Sequence, residues 1–202
     1  MPHRNYRLSR RAEAAEETRR RIIEATYALH SELGVAATTM THIAERAGVS
    51  IGSVYHHFPT YDDAIGACGQ HSQELAPPPT DAIFAGLPST EKRVQRLAEA
   101  IFGYYERLPG FERVRRDRDK FPPLQGFFAA EERRRADLAG KALRARASDP
   151  RPATVAALLD IAVYQGLMHA GLGTGAAAEQ IAEVINTWLS ARSRSRRLAV
   201  PG

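Results

Sequence analysis

Residues 40 to 58 leave the chain little choice but two short helices meeting at a sharp turn. Met40, Ile43, Ala44 and Ala47 fall at i, i+3, i+4 and i+7, a single apolar stripe on a two-turn helix. Thr39 precedes the stripe as an N-cap, because its hydroxyl can accept from an early amide. Gly48 follows at once, where a left-handed residue turns the chain. Val49 can plug the core under that turn, and Ser50 can cap a second helix over Ile51–Phe58. On that helix Val54 and Phe58 point inward, leaving Gly52, Ser53, Tyr55, His56 and His57 to face outward. Thr60-Tyr61-Asp62-Asp63 then reads as a capping box, with acidic residues complementing the dipole of the next helix.

The rest of the chain reads as helical too. No stretch alternates with period two, and no two-residue hairpin signal occurs, so strands have no foothold. Between Glu13 and Leu33, Ile22, Thr26, Leu29 and Leu33 keep helical spacing, and Gly34 sits where a glycine would end the helix. A longer helix is expected from Tyr61 to about Leu75. Pro77-Pro78-Pro79 cannot continue it and marks a boundary. The expected organisation is a helix-turn-helix domain over 1–60, a connecting helix over about 61–76, and a second domain over 77–202. Helices are expected in the latter at Thr90–Leu108, Leu124–Ala147, Pro152–Ala170 and Ala176–Ser193, divided by proline and glycine. Arg194–Gly202 reads as a frayed basic tail. The fold class is therefore all-α: an N-terminal three-helix helix-turn-helix domain followed by a helical domain.

Two short helices around a tight glycine turn, the second presenting small polar residues and aromatics, form a DNA-reading motif. The formal charge of +5 and the pI near 9.6 agree, because phosphate neutralisation rewards basic surface. No apolar run nears the roughly 20 residues of a spanning helix, and the basic N-terminus lacks the apolar region of a secretory signal. A single cysteine, Cys68, reads as a small buried hydrophobe and allows no internal disulfide. A cytoplasmic protein is expected. Zinc-ligand patterns, phosphate-cradling glycine loops and nucleophile elbows are absent from the sequence, so neither an enzyme nor a cofactor is expected. His56 and His57 are adjacent and point about 100° apart on a helix, which argues against a shared metal.

The segment AGVSIGSVYHHFP resembles the signature of TetR-family transcriptional regulators, an Ala-Gly-Val-Ser turn leading into Gly, Tyr, His and Phe. Thr18-Arg19, Ile22-Ile23, Leu33-Gly34, Thr39 and Ile43-Ala44 fit the same pattern, so the resemblance covers roughly residues 15–66. It implies that Thr39, Ser50 and Tyr55 hold phosphates and that Thr41, Gly52, Ser53 and His56 lie at or near base edges. His57 could reach a phosphate. Two positions depart from the family pattern: Tyr61 stands where a phosphate-contacting Lys is common, and Ala64 where Leu is common. Tyr61 is expected to donate to phosphate without charge. Arg4, Arg7, Arg10 and Arg11 form a basic arm that either trails along DNA or stays free.

The resemblance further implies a homodimer on a palindromic double-stranded operator and a small-molecule effector, with repression relieved by that ligand. An activator, or a second domain that binds a protein partner, remains the alternative. Ligand-pocket candidates are Phe102, Tyr105, Phe121, Phe127, Tyr164, Gln165, Met168 and His169, aromatic and apolar residues with a few polar groups among them. Dimer-interface candidates are Leu159, Gly166 and Ala170 with Ile181, Ile185 and Trp188, drawn from apolar stripes on the last two expected helices. The mixed-charge run Glu112–Lys120 reads as solvated surface.

Overall fold

The computed structural model describes residues 3–198, and among them every regular element is helical. In chain order these are α1 (His3–Leu33), α2 (Met40–Ala47), α3 (Ile51–His57), α4 (Tyr61–Leu75), α5 (Thr90–Glu106), α6 (Phe111–Arg116), α7 (Pro122–Leu143), α8 (Arg151–Leu158), α9 (Ile161–His169) and α10 (Thr174–Leu198). Short 3₁₀ turns occupy Asp81–Phe84 and Arg118–Lys120. None of these helices is long and apolar enough to cross a membrane.

Contacts divide the chain into two units. The first comprises the chain up to Leu75 together with Arg113–Phe128; the second comprises Ala76–Glu112 and the chain from Ala129 onward. The boundary after Leu75 falls beside the triple proline. Arg113–Phe128, expected within the second domain, belongs instead to the first.

The first unit closes over Ile22, Ala25 and Leu29 of α1, the Met40/Ile43/Ala44/Ala47 stripe, Val54, Phe58, Ala64 and Ala67. Gly34 ends α1 at φ +91°, and its amide donates to the His30 carbonyl at 3.0 Å. The charged run that looked like solvated surface supplies part of this fold. Asp117 is buried, and its carboxylate accepts from the Ala36 amide and from Lys120 Nζ, both at 2.8 Å. These donors hold its carboxyl below the usual range despite burial, which pushes the other way. Arg113 donates to the Ser31 carbonyl at the end of α1. Nothing in the local charge pattern distinguishes Asp117 from its neighbours, because the Ala36 amide that it accepts from lies 81 residues upstream.

The second unit packs α5 along α10, with Val94, Leu97, Ile101 and Phe102 meeting Ala178, Ile181 and Ile185. The helix expected over Pro152–Ala170 is two. Asp160 adopts an extended conformation (φ −70°, ψ 152°) and caps α9 by accepting from the Ala162 amide at 3.0 Å. The same carboxylate pairs with Arg135 at 2.9 Å, and Arg135 also donates to Tyr105 Oη at 3.1 Å and to the Ala156 carbonyl at 2.9 Å. Both charges are largely removed from water, so their mutual satisfaction is what makes the break in the helix tolerable.

His30 is 3% exposed, and burial lowers its pKa to about 4, only partly opposed by the charge of Asp117. The unfolded chain therefore binds a proton that the fold resists between about pH 6.5 and 4. Stability falls as pH drops through that window. We expect urea titrations at pH 7 and 4.5 to show that wild type loses roughly 2 kcal/mol more than His30→Gln over this range.

Candidate nucleic-acid interface

The turn between α2 and α3 is built as its sequence requires. Gly48 takes φ +64° and ψ 42°, and its amide closes α2 onto the Ala44 and Glu45 carbonyls. A side chain there would be strained, since only glycine enters this region freely. Arg21 of α1 reinforces the corner by donating to the carbonyls of Ala47 and, at 3.1 Å, Gly48. Arg46 and Glu32 form a two-bonded pair at 3.0 and 2.8 Å that ties α2 to the end of α1. The orientation of α3 is thus fixed by packing and by polar ties together.

Each cap is made. Thr39 accepts from the His42 amide at 3.2 Å, and Ser50 from the Ser53 amide at 3.1 Å. Accepting leaves both hydroxyl protons free to donate outward, so capping and phosphate contact are chemically compatible. Thr60 and Asp63 form the reciprocal capping box of α4, with Thr60 N to Asp63 Oδ2 at 2.9 Å and the return bond at 3.2 Å.

The outward face of the motif is Thr39, Thr41, Ser50, Gly52, Tyr55 and His56, all exposed, with Ser53 and His57 half-buried at its side. Tyr55 is 51% exposed, a large aromatic left in water by a small, well-packed unit. Gly52 stands in the middle of this face. Its backbone is not left-handed, and a Cβ would meet nothing closer than Ser50 Oγ at 3.9 Å. Neither turn geometry nor packing requires glycine there, although glycine weakens a helix. The His56 and His57 rings stand edge to face, 5.3 Å apart, and burial is the largest cause lowering the pKa of His57, followed by the nearby His56 and Arg19. Ile51 is 41% exposed at the head of the same helix. Of the basic arm, Arg10 and Arg11 are exposed; the side chains of Arg4 and Arg7 lie outside the described residues.

Tyr61 behaves differently from expectation. Its hydroxyl donates to the Val35 carbonyl at 2.7 Å, and His30 Nε2 lies 3.0 Å from it. Because the phenol proton goes to Val35, His30 is the donor in the second bond, as its neutral Nε2–H form. The ring packs edge-on against Phe121 at 5.7 Å, and burial raises the phenol pKa. The proton that a phosphate would need is already committed inside the unit.

The second unit gathers some pocket candidates and not others. Phe102, Tyr105 and Tyr164 share one aromatic cluster with ring centroids 5.2 to 6.4 Å apart, joined by Tyr104 and Phe111. Met168 packs partly buried against the same core, Gln165 is half-buried and His169 is exposed. Phe121 and Phe127 belong to the first unit, Phe121 on Tyr61 and Phe127 beside Gly69, where a Cβ would lie 3.5 Å from its ring. Both therefore pack within the first unit and not in the Phe102/Tyr105/Tyr164 cluster. Tyr104 Oη is buried with Glu131 as the carboxylate beside it, and burial raises its pKa. Of the interface candidates, Leu159, Ile181 and Ile185 are consumed by the unit's own core; Gly166 and Ala170 are exposed and Trp188 is half-buried, with Val184 54% exposed beside it. A period of 3.6 shows that a helix has an apolar face, not what covers it, which is why core and interface could not be told apart.

Gly52→Ala adds helix propensity without a clash, so it is expected to raise the melting temperature, by about 0.5 kcal/mol of stability. A melting temperature several degrees lower would show that Gly52 has an internal structural role.

Residues 22–63 match the family described as bacterial regulatory proteins, tetR family. The chain is 36% identical over 76 residues to the transcriptional repressor KstR of Mycolicibacterium smegmatis, a stretch covering 37% of each protein. It is 51% identical over 60 residues to the transcriptional regulator TtgR of Pseudomonas putida, covering 30% of this chain and 29% of that one. These matches span only about a third of the relatives' lengths. The fold likeness reaches further: a tetR-family regulator from Streptomyces coelicolor superposes with a TM-score of 0.68 at 17% identity, covering 89% of this chain and 83% of that one. Residues 22–63 thus match the tetR family in register, and the chain shares its helical fold with a tetR-family regulator.

Proposed function

We propose that this protein is a homodimeric, DNA-binding transcriptional regulator that represses from a palindromic operator and is released by a small-molecule ligand. The observation that carries the DNA-binding step is Gly52, a glycine that the fold does not need, at the centre of an exposed helical face. A missing side chain at that point lets α3 approach the floor of a major groove. Thr41, Ser53 and His56 flank it at base-edge height, while Thr39, Ser50, Tyr55 and His57 supply donors to phosphate. Tyr61 is left out of this set.

Two-fold operators require two copies of α3 about 34–36 Å apart, in successive major grooves. The outward strip of Gly166, Ala170, Val184 and Trp188 is the surface offered for pairing; small residues permit close helix approach and an aromatic supplies buried area. The effector would bind in the second unit around Phe102, Tyr105 and Tyr164. It acts by favouring a conformation that spreads the recognition helices, which requires only that it bind two states unequally.

Electrophoretic shifts of the full chain on its own upstream intergenic DNA, at several salt concentrations, test this reading. A shift that prefers that DNA over random sequence, weakens with salt and is lost in Tyr55→Ala/His56→Ala is expected. Binding of the double variant as tight as wild type would refute the assignment of α3. Tyr61→Phe is expected to leave the slope of affinity against salt unchanged; a shallower slope would return Tyr61 to the phosphate contacts.

A further inference from the structure

Ile51 opens α3, yet 41% of it is exposed, and it has no evident task within its own unit. It does not cap the helix, since Ser50 does that, and a β-branched residue is a middling helix former. The inward side of the segment is held by Val54 and Phe58, which are 0% and 4% exposed. Four residues on from Ile51, Tyr55 stands 51% exposed on the same flank, so a seven-residue helix carries two large apolar side chains into solvent. Gly52, next in sequence, keeps the centre of that face low.

In the major groove the base edges present hydrogen-bond donors and acceptors with one apolar exception, the C5-methyl group of thymine. A branched alkyl side chain on the groove-facing flank complements that group and no other base-edge feature. We propose that Ile51 is a specificity-determining residue that reads a thymine methyl in each half-site of the operator. The absent side chain of Gly52 brings the helix near enough for the two alkyl groups to touch, at about 4 Å. This rests on the DNA-binding reading above and adds to it a residue and the base group it selects.

The test uses the full chain and duplexes of the bound upstream DNA in which thymines are replaced, one symmetric pair at a time, by deoxyuridine. That exchange deletes the methyl group and keeps base pairing and the O4 acceptor. Wild type is expected to lose roughly fourfold in affinity per half-site at one such pair, the worth of one buried carbon. Ile51→Ala is expected to lose a similar factor on the unmodified duplex and to become insensitive to deoxyuridine at that pair. Ile51→Val keeps a branched alkyl group and is expected to keep the sensitivity. Melting temperatures of the three proteins guard against a folding defect, and the Ile51→Val result stands by itself if Ile51→Ala is unstable. Losses that multiply, or an Ile51→Ala protein with wild-type affinity and the same deoxyuridine profile, would overturn the inference while leaving the DNA-binding reading intact. Wild type showing no preference for any duplex would overturn both.

Discussion

The left-handed turn at Gly48 is the constraint on which the recognition surface depends. It ends α2 after two turns and aims α3 by a single residue's backbone. The amide of Gly48 satisfies the last carbonyls of α2, Val49 packs against the core beneath, and Ser50 starts the next helix. Arg21 spans from α1 to the carbonyls at this corner, so the first helix holds the turn as well as packing under it. The motif is held by one glycine, two caps and the guanidinium groups of Arg21 and Arg46.

The second feature of the first unit is that it is not contiguous in sequence. Arg113–Phe128 packs with α1 and α4, through polar bonds from Arg113 and Asp117 and through the rings of Phe121 and Phe127. Asp117 satisfies a loop amide just before Thr38 and Thr39, and Arg113 caps the carbonyl end of α1. The loop that delivers the Thr39 cap is thus pinned by residues from far along the chain. His30, Tyr61 and the Val35 carbonyl form a buried polar chain beside it. Burial keeps His30 neutral, and the chain draws only on its Nε2–H.

Much of this was legible beforehand because its causes are local. The α2 stripe, the Gly48 turn, both caps, the Thr60/Asp63 box and the stop at Leu75 are each set by residues within a few positions of one another. What could not be read was set by distant partners. Asp117 is one acid in a mixed run until the Ala36 amide, 81 residues away, donates to it. Asp160 looks like an ordinary helical residue until Arg135 makes an extended cap worth adopting. Tyr61 sits where a phosphate contact was expected, and only the fold shows its hydroxyl turned to Val35. Phe121 and Phe127 have the composition of pocket residues, but their packing puts them in the other unit. Ile51 is an apolar residue at a helix start, and its exposure is the signal that sequence alone lacks.

The central claim is that α3 reads operator DNA from the major groove as one of a symmetric pair. Methylation interference on the bound upstream duplex tests it most directly, since guanine N7 lies in the major groove and adenine N3 in the minor groove. The account predicts that N7 methylation blocks binding in two symmetric clusters whose centres lie about one helical turn apart. Interference confined to adenine N3, or a single cluster without a symmetric mate, would contradict it.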